Sequence, residues 1–317
     1  MIKYNLYLLK KNPFIILLFV TIILLITLSL FIPNFNDSRY YLSNNPITDL
    51  EIERYNHPEY MEDYNYYKML YSIYLKNDMS ENNFILFGNL FVLSNDTNYN
   101  NIAYGMSLIH GFSLFSIFIS IFVSFILFMY PLETKKYKTI ILFGKKRDNI
   151  FKENYFLGVL ILLSIWLIVF LLGIIIINKN FQFNVIINYK NYLLSINLFN
   201  IYLSISLGFL LELLFFYNLS IFIEIVSKKM FLAISLPVIL FIIGFMLTLP
   251  SYKGYGNILI NKGDIKFYLS YLSFGFNLVS MSLNGFNTDY LSILLITIIL
   301  IYTLYYFSNR LFKRIIF

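Results

Sequence analysis

The stretch PLETKKYKTIILFGKKRDNIFKENYF, residues 131–156, separates two long apolar runs and carries seven basic residues against three acidic ones. A short loop this rich in lysine and arginine is retained on the cytoplasmic side of a membrane. The loop therefore predicts the orientation of the whole chain, because every other segment is assigned to a side by counting crossings away from it.

Within this loop the spacing predicts a short helix over residues 135–143. Three apolar residues share one face of it at about 100° per residue, namely Tyr137, Ile140 and Ile141. The lysines of the opposite face are Lys135, Lys136 and Lys138. Such a helix is typical of a membrane surface. Leu142 and Phe143 fall outside the apolar face, where they can meet a soluble partner. The alternative is a solvated basic loop that only sets orientation.

The composition indicates an integral membrane protein. The 317 residues are 59% hydrophobic and 13% charged, which is more apolar surface than a soluble core of this length can bury. The net charge of +7 follows the loops, so no nucleic-acid partner is expected. With no cysteine and two histidines, the chain has no disulfide or thiolate ligand and too few imidazoles for a histidine zinc site.

The apolar runs predict an all-α polytopic membrane protein with six transmembrane helices and both termini in the cytoplasm. Its segments follow from the positions of those runs. They are an interfacial helix and span 1 in 1–33, an extracellular domain in 34–105, span 2 in 106–130, the cytoplasmic loop in 131–154, spans 3 to 5 in 155–249, an outer re-entrant or interfacial segment in 250–289, and span 6 with a basic tail in 290–317. Span 4 is the hardest to delimit, because residues 191–227 are apolar for longer than one crossing needs.

The polar insertion between spans 1 and 2 has ten acidic and four basic residues, which predicts an extracellular position. We expect it to be helical, with one continuous aromatic stripe at alternating spacings of four and three. The stripe consists of Tyr60, Tyr64, Tyr67, Tyr71 and Tyr74. It predicts the buried face of a small domain, or alternatively a lid over a translocation exit.

Two carboxylates interrupt span 4. Glu224 lies close to Lys228 and Lys229, which mark the cytoplasmic end of the span, so we expect it to pair with them. Glu212 lies deeper, where an ionised carboxylate costs on the order of 3 kcal/mol unless it faces other helices or water. Glu212 is therefore either a functional residue or a structural hydrogen-bonding group between helices.

Nucleotide-binding and catalytic motifs are absent from the sequence. The nearest approach to a phosphate-binding loop, TIILFGKK, has Thr139 where glycine is needed and Lys146 where serine or threonine is needed. No metalloprotease or serine-hydrolase motif occurs. We expect a chain that is not itself an enzyme and holds no metal or cofactor.

The layout, and the loop after span 2 above all, resembles the permease subunit of type-2 ABC exporters. Those permeases carry a short coupling helix in this loop, with an acidic, glycine, arginine and lysine pattern similar to Glu133, Gly144, Arg147 and Lys152. The first outer loop is larger than in minimal members, as in a subset that handles peptides, bacteriocins or drugs. The resemblance implies a set of ATPase-coupling residues: Glu133, Lys135, Tyr137, Lys138, Ile141, Leu142, Phe143, Gly144, Arg147 and Lys152.

The resemblance further implies a permease of the bacterial cytoplasmic membrane. Two partner ATPase subunits would bind ATP and Mg²⁺, and a second permease, identical or not, would complete the pore. The expected substrate is amphipathic, such as a peptide, bacteriocin, drug or lipid. Two other classes remain open: an ion-gradient transporter that uses Glu212, and a membrane scaffold or sensor without transport.

Overall fold

The computed structural model describes the chain in separate ranges. These are residues 84–87, 90–93, 105, 108–109, 112–113, 115–178, 184–189, 192–248 and 290–315. The predicted interfacial helix and span 1, the tyrosine stripe, and the outer segment 250–289 lie outside the described residues.

Seven helices follow the first two strands along the described part of the chain. They are α1 (Ser116–Ser124), α2 (Tyr130–Glu133), α3 (Lys136–Leu142), α4 (Arg147–Ile177), α5 (Leu198–Ser227), α6 (Met230–Thr248) and α7 (Tyr290–Phe312). A π-helical segment, Phe125–Met129, joins α1 to α2, so that Ser116–Glu133 forms one helical rod.

Four helical rods in the described part of the chain are long and apolar enough to cross a membrane. They are Ser116–Glu133, Arg147–Ile177 (α4), Leu198–Ser227 (α5) and, within α7, Leu294–Phe312. They correspond to predicted spans 2, 3, 4 and 6, as expected of a multi-pass membrane protein. Predicted span 5 corresponds to α6. Its apolar part, Met230–Ile243, is shorter than the four rods. Pro237 lies inside α6, where it removes a backbone hydrogen-bond donor from the helix.

Helix α5 is the central element of the bundle. It packs against the rod that contains α1 and against α4, α6 and α7. Its buried side chains include large aromatics such as Phe209, Phe216 and Tyr217. Helices α4 and α7, by contrast, leave many apolar side chains exposed, for example Ile175 and Leu295. Those outward faces are suited to contact with lipid.

Four strands form an antiparallel sheet in the order β1 (Phe84–Phe87), β2 (Leu90–Leu93), β3 (Asn184–Tyr189) and β4 (Tyr192–Asn197). The expectation of a helical insertion is therefore wrong for residues 84–87 and 90–93. The runs FILF and LFVL are short and rich in aromatic and branched residues, and Gly88 and Asn89 separate them, which is the composition of a two-residue hairpin connection.

The pairing of β2 with β3 joins distant segments of the chain. Phe91 is opposite Ile186, so the strands before the rod Ser116–Glu133 and after the rod Arg147–Ile177 belong to one sheet. Both rods and the basic loop therefore lie, in sequence, between two paired strands.

The structure shifts two predicted boundaries. The apolar stretch 191–227 divides into strand β4 and helix α5, because the side chain of Asn197 accepts a hydrogen bond from the backbone N–H of Phe199 and caps the helix. Helix α4 begins at Arg147, not near Tyr155, so the last residues of the predicted loop are already helical.

Candidate functional site

The basic loop presents a short helix with an exposed apolar end. Helix α3 covers Lys136–Leu142, one residue shorter at each end than predicted. Leu142 is 77% exposed and Phe143 is 87% exposed, so two adjacent large apolar side chains form an uncovered apolar patch. The three lysines of the predicted lysine face, Lys135, Lys136 and Lys138, are all exposed.

Two left-handed residues define the ends of this helix. Lys135 has φ of 55° immediately before α3, and Gly144 has φ of 84° just after it. The Gly144 N–H donates to the Ile141 carbonyl at 2.9 Å, which closes the last turn. Glycine is the residue that adopts this conformation without steric cost. Its presence at position 144 therefore determines the direction in which the chain leaves Leu142 and Phe143.

Tyr137 attaches α3 to the bundle. The side chain is 2% exposed, and its hydroxyl donates a hydrogen bond to the Leu127 carbonyl in the π-helical segment. Asn154 of α4 donates from Nδ2 to the same hydroxyl at 2.7 Å. Burial raises the pKa of Tyr137 above its usual range, so the phenol stays protonated as a donor.

The attachment continues into an aromatic cluster beneath the loop. The ring of Phe312, at the end of α7, meets Tyr137 edge-on with centroids 5.5 Å apart. Phe312 also contacts Phe151, at 5.4 Å, and Phe128, at 6.5 Å. Partly buried Ile140 and Ile141 pack against the same core. The predicted apolar face thus packs on the protein itself.

The charged residues beside α3 are largely engaged by the C-terminal segment. Asp148 forms ion pairs with Lys152 at 2.9 Å and with Lys313 at 3.0 Å. Arg147 donates from its guanidinium to the Lys313 carbonyl at 3.1 Å. Arg147, predicted to couple to an ATPase, therefore links the start of α4 to the residue that follows α7. Lys152, from the same prediction, forms its ion pair with Asp148 within α4. Glu133 is exposed at the end of α2.

The carboxyl group of Glu212 is fully buried between α1 and α5. Its Oε2 accepts a hydrogen bond from Ser113 at 2.7 Å, and its Oε1 has no hydrogen-bond partner among the described residues. Seven residues after Ser113, Ser120 donates to the carbonyl of Leu213, the residue next to Glu212, at 2.8 Å. Serine hydroxyls thus occupy the contact between these two rods, as is common where membrane helices approach closely.

Glu224 is buried near the end of α5. Its Oε2 has no hydrogen-bond partner, and no ion pair joins it to Lys228 or Lys229 in the part of the chain that the structure describes. The expected pairing with these lysines is therefore not formed. Over the same described ranges, no three acidic or histidine side chains come together in a way that would hold a metal ion.

Sequence reasoning missed the residues that hold the predicted ones in place. The sequence predicts Asn154 only as the last residue of the cytoplasmic loop, and Phe312 only as part of the segment that holds span 6 and the basic tail. Asn154 had a usable signal, because it is an amide at the start of a long apolar run. Phe312 had none, since its contact with Tyr137 joins positions far apart in sequence.

Comparison with known family models, curated proteins and solved structures finds no match to this chain.

Proposed function

We propose that this chain is the permease subunit of an ATP-driven exporter, of the type-2 ABC class, whose ATPase is a separate polypeptide. The observation that carries the proposal is the exposed pair Leu142 and Phe143 at the end of α3. The sequence has no phosphate-binding loop, and in this proposal ATP is hydrolysed by the partner.

The form of the loop supports such docking. Two large apolar side chains project beside a lysine-rich surface, and the helix that carries them is anchored through the buried Tyr137. Interfaces of this kind combine a small apolar centre with a charged rim. ATP-driven closure of the partner would push on α3 and shift the spans between inward-facing and outward-facing arrangements.

The remaining features of the proposal concern location and cargo. The chain would act in a bacterial cytoplasmic membrane with a second permease, identical or different, and with two ATPase subunits. The acidic insertion, residues 34–105, faces outward in this scheme and favours release of a cationic or amphipathic substrate such as a peptide, bacteriocin, drug or lipid.

The test is a pull-down from the native membrane followed by a transport assay. We expect a Walker-motif ATPase to copurify with the unmodified chain, and Leu142→Ala with Phe143→Ala to abolish both that association and ATP-dependent transport without affecting insertion. Phe156→Ala is the matched control, because it removes an exposed phenylalanine from the apolar face of α4. Association and transport that survive the double change would refute the docking role.

A second candidate function is transport driven by an ion gradient. The fully buried Glu212 carboxyl, with one oxygen that lacks a hydrogen-bond partner among the described residues, favours it, since buried carboxyls of this kind mark ion and proton pathways. Glu212→Gln keeps the shape of the side chain and removes its ionisable carboxyl group. Full activity of that variant would reject the ion-gradient mechanism, and activity that is lost with the ATPase intact would favour it.

A further inference from the structure

The tyrosine hydroxyl of α3 is the meeting point of three elements. Tyr137 donates to the Leu127 carbonyl, which lies in the π-helical segment Phe125–Met129, and accepts from Asn154 of α4 at 2.7 Å. Single π-helical turns within membrane helices change the backbone hydrogen-bonding pattern and recur at functional sites. The hydroxyl thus connects the loop helix to both rods that flank the loop.

Helix α3 cannot hold its own position. It has seven residues and no side-chain cap at its N-terminal end, and isolated helices of this length are unstable in water. Its partly buried residues Ile140 and Ile141 contribute apolar contacts, which are not directional. The hydrogen bonds of Tyr137 are directional, so they set the angle at which Leu142 and Phe143 project.

We propose that Tyr137 and Asn154 are positioning residues that lock α3 to the rods Ser116–Glu133 and Arg147–Ile177 as one rigid unit. A displacement applied at Leu142 and Phe143 then reaches both rods together instead of being absorbed by the loop. The role in energy transfer rests on the proposed function, whereas the rigid connection belongs to this chain alone.

The rigid connection is tested first, on the full-length chain in lipid nanodiscs. The sequence has no cysteine, so cysteines placed at Lys138 and Phe118, both exposed, take spin labels cleanly. We expect a narrow distribution of label-to-label distance in the otherwise unmodified chain. Tyr137→Phe keeps the ring that packs on Phe312 but removes both hydrogen bonds, and we expect a broadened distribution.

Asn154→Leu and a matched control sharpen this test. The leucine variant should broaden the same distribution, and combining it with Tyr137→Phe should add little, because both changes remove the same bond. Tyr202→Phe is the control, since Tyr202 also donates from a buried hydroxyl to a carbonyl, that of Phe170 at 2.9 Å, but between α4 and α5 and away from the loop. The control distribution should stay narrow.

The second test asks whether the connection transmits motion. Spin labels at Phe118 and Leu236 report on the distance between the rod containing α1 and helix α6 in the complex with its ATPase, before and after trapping with MgATP and vanadate. We expect trapping to shift this distance in the unmodified chain. In Tyr137→Phe, nucleotide trapping should persist while the population that shifts falls by about thirtyfold, the factor that matches the loss of two buried hydrogen bonds.

The outcomes separate the two proposals. A narrow Tyr137→Phe distribution, or a broad one in the unmodified chain, overturns the rigid connection whatever the partner is. A full distance shift in trapped Tyr137→Phe overturns the transmitting role. An unmodified chain that binds no ATPase refutes the proposed function, and the first test still decides whether Tyr137 and Asn154 position the loop.

Discussion

The hydroxyl of Tyr202 occupies the space that a Cβ atom on Gly173 would need. Tyr202 lies on α5 and Gly173 on α4, and the hydroxyl reaches past the glycine to donate to the Phe170 carbonyl at 2.9 Å. A second pair repeats the arrangement, because the Tyr217 hydroxyl fills the corresponding space at Gly158. Two glycines thus let tyrosines of α5 pack directly against the backbone of α4.

Gly173→Ala should therefore destabilise the protein. The added methyl group overlaps the Tyr202 hydroxyl, and such overpacking costs about 1–3 kcal/mol. Thermal unfolding in detergent measures the loss. Leu171→Ala, which truncates an exposed side chain on the same helix, should change the unfolding temperature little. Adding Tyr202→Phe to Gly173→Ala should recover part of the lost stability. A double variant that unfolds at a lower temperature than Gly173→Ala alone would contradict the proposed overlap between the methyl group and the Tyr202 hydroxyl.

The left-handed residues at the two ends of α3 predict opposite effects of substitution. Gly144→Val should cost about 1–2 kcal/mol through backbone strain alone, since no atom of the described residues lies within 4 Å of the place that a Cβ atom would take. Lys135→Gly should raise stability, because it relieves the strain of a lysine at φ of 55°. Denaturant unfolding of both variants checks the signs. Equal effects of the two changes would show that these conformations are not maintained.

The bond between Ser113 and Glu212 predicts a cost for removing the hydroxyl. Ser113→Ala leaves the buried Oε2 of Glu212 without its 2.7 Å donor, which should cost about 1–3 kcal/mol. Ser164→Ala is the control, because Ser164 is exposed and bonds only within its own helix. The difference in unfolding temperature between the two variants is the measurement. In a Glu212→Leu background, Ser113→Ala should cost little, and an undiminished effect there would assign it to packing.

The ion pairs of Asp148 predict a salt-dependent attachment of the C-terminal segment. Asp148→Asn should weaken the contact with Lys313 and speed tryptic cleavage after that lysine, with an energetic effect below about 1 kcal/mol because the pair is partly exposed. High salt should have the same effect on the unmodified chain. Glu153→Gln breaks only the pair with Lys145, so it should leave the cleavage rate unchanged.

Local patterns predicted the surface of the loop better than its attachment. The exposure of Leu142 and Phe143 and the burial of Tyr137 follow from helical periodicity, which needs only neighbouring residues. The partners of Tyr137 do not follow from it, because Leu127, Asn154 and Phe312 belong to three different helices. The packing role of Gly158 and Gly173 likewise cannot be predicted from neighbouring residues, because the tyrosines that pack against them lie on a different helix.

The sheet was missed for a related reason. A short apolar run such as LFVL cannot be told from a piece of buried helix by periodicity alone, and its pairing partner β3 lies beyond two rods. The cap at Asn197 was a local signal that could have divided β4 from α5. The energetic preference for strands there comes from pairing between distant segments, which one stretch of sequence does not contain.

The same sheet can form only late in the synthesis of the chain. During synthesis β2 leaves the ribosome long before β3, with residues 94–183 and two helical rods between them. Until those rods are inserted, the free edge of the β1–β2 hairpin has no intramolecular strand to pair with, which makes the nascent chain prone to aggregation. Cells that make this protein would then benefit from a chaperone that shields the hairpin until the later hairpin arrives.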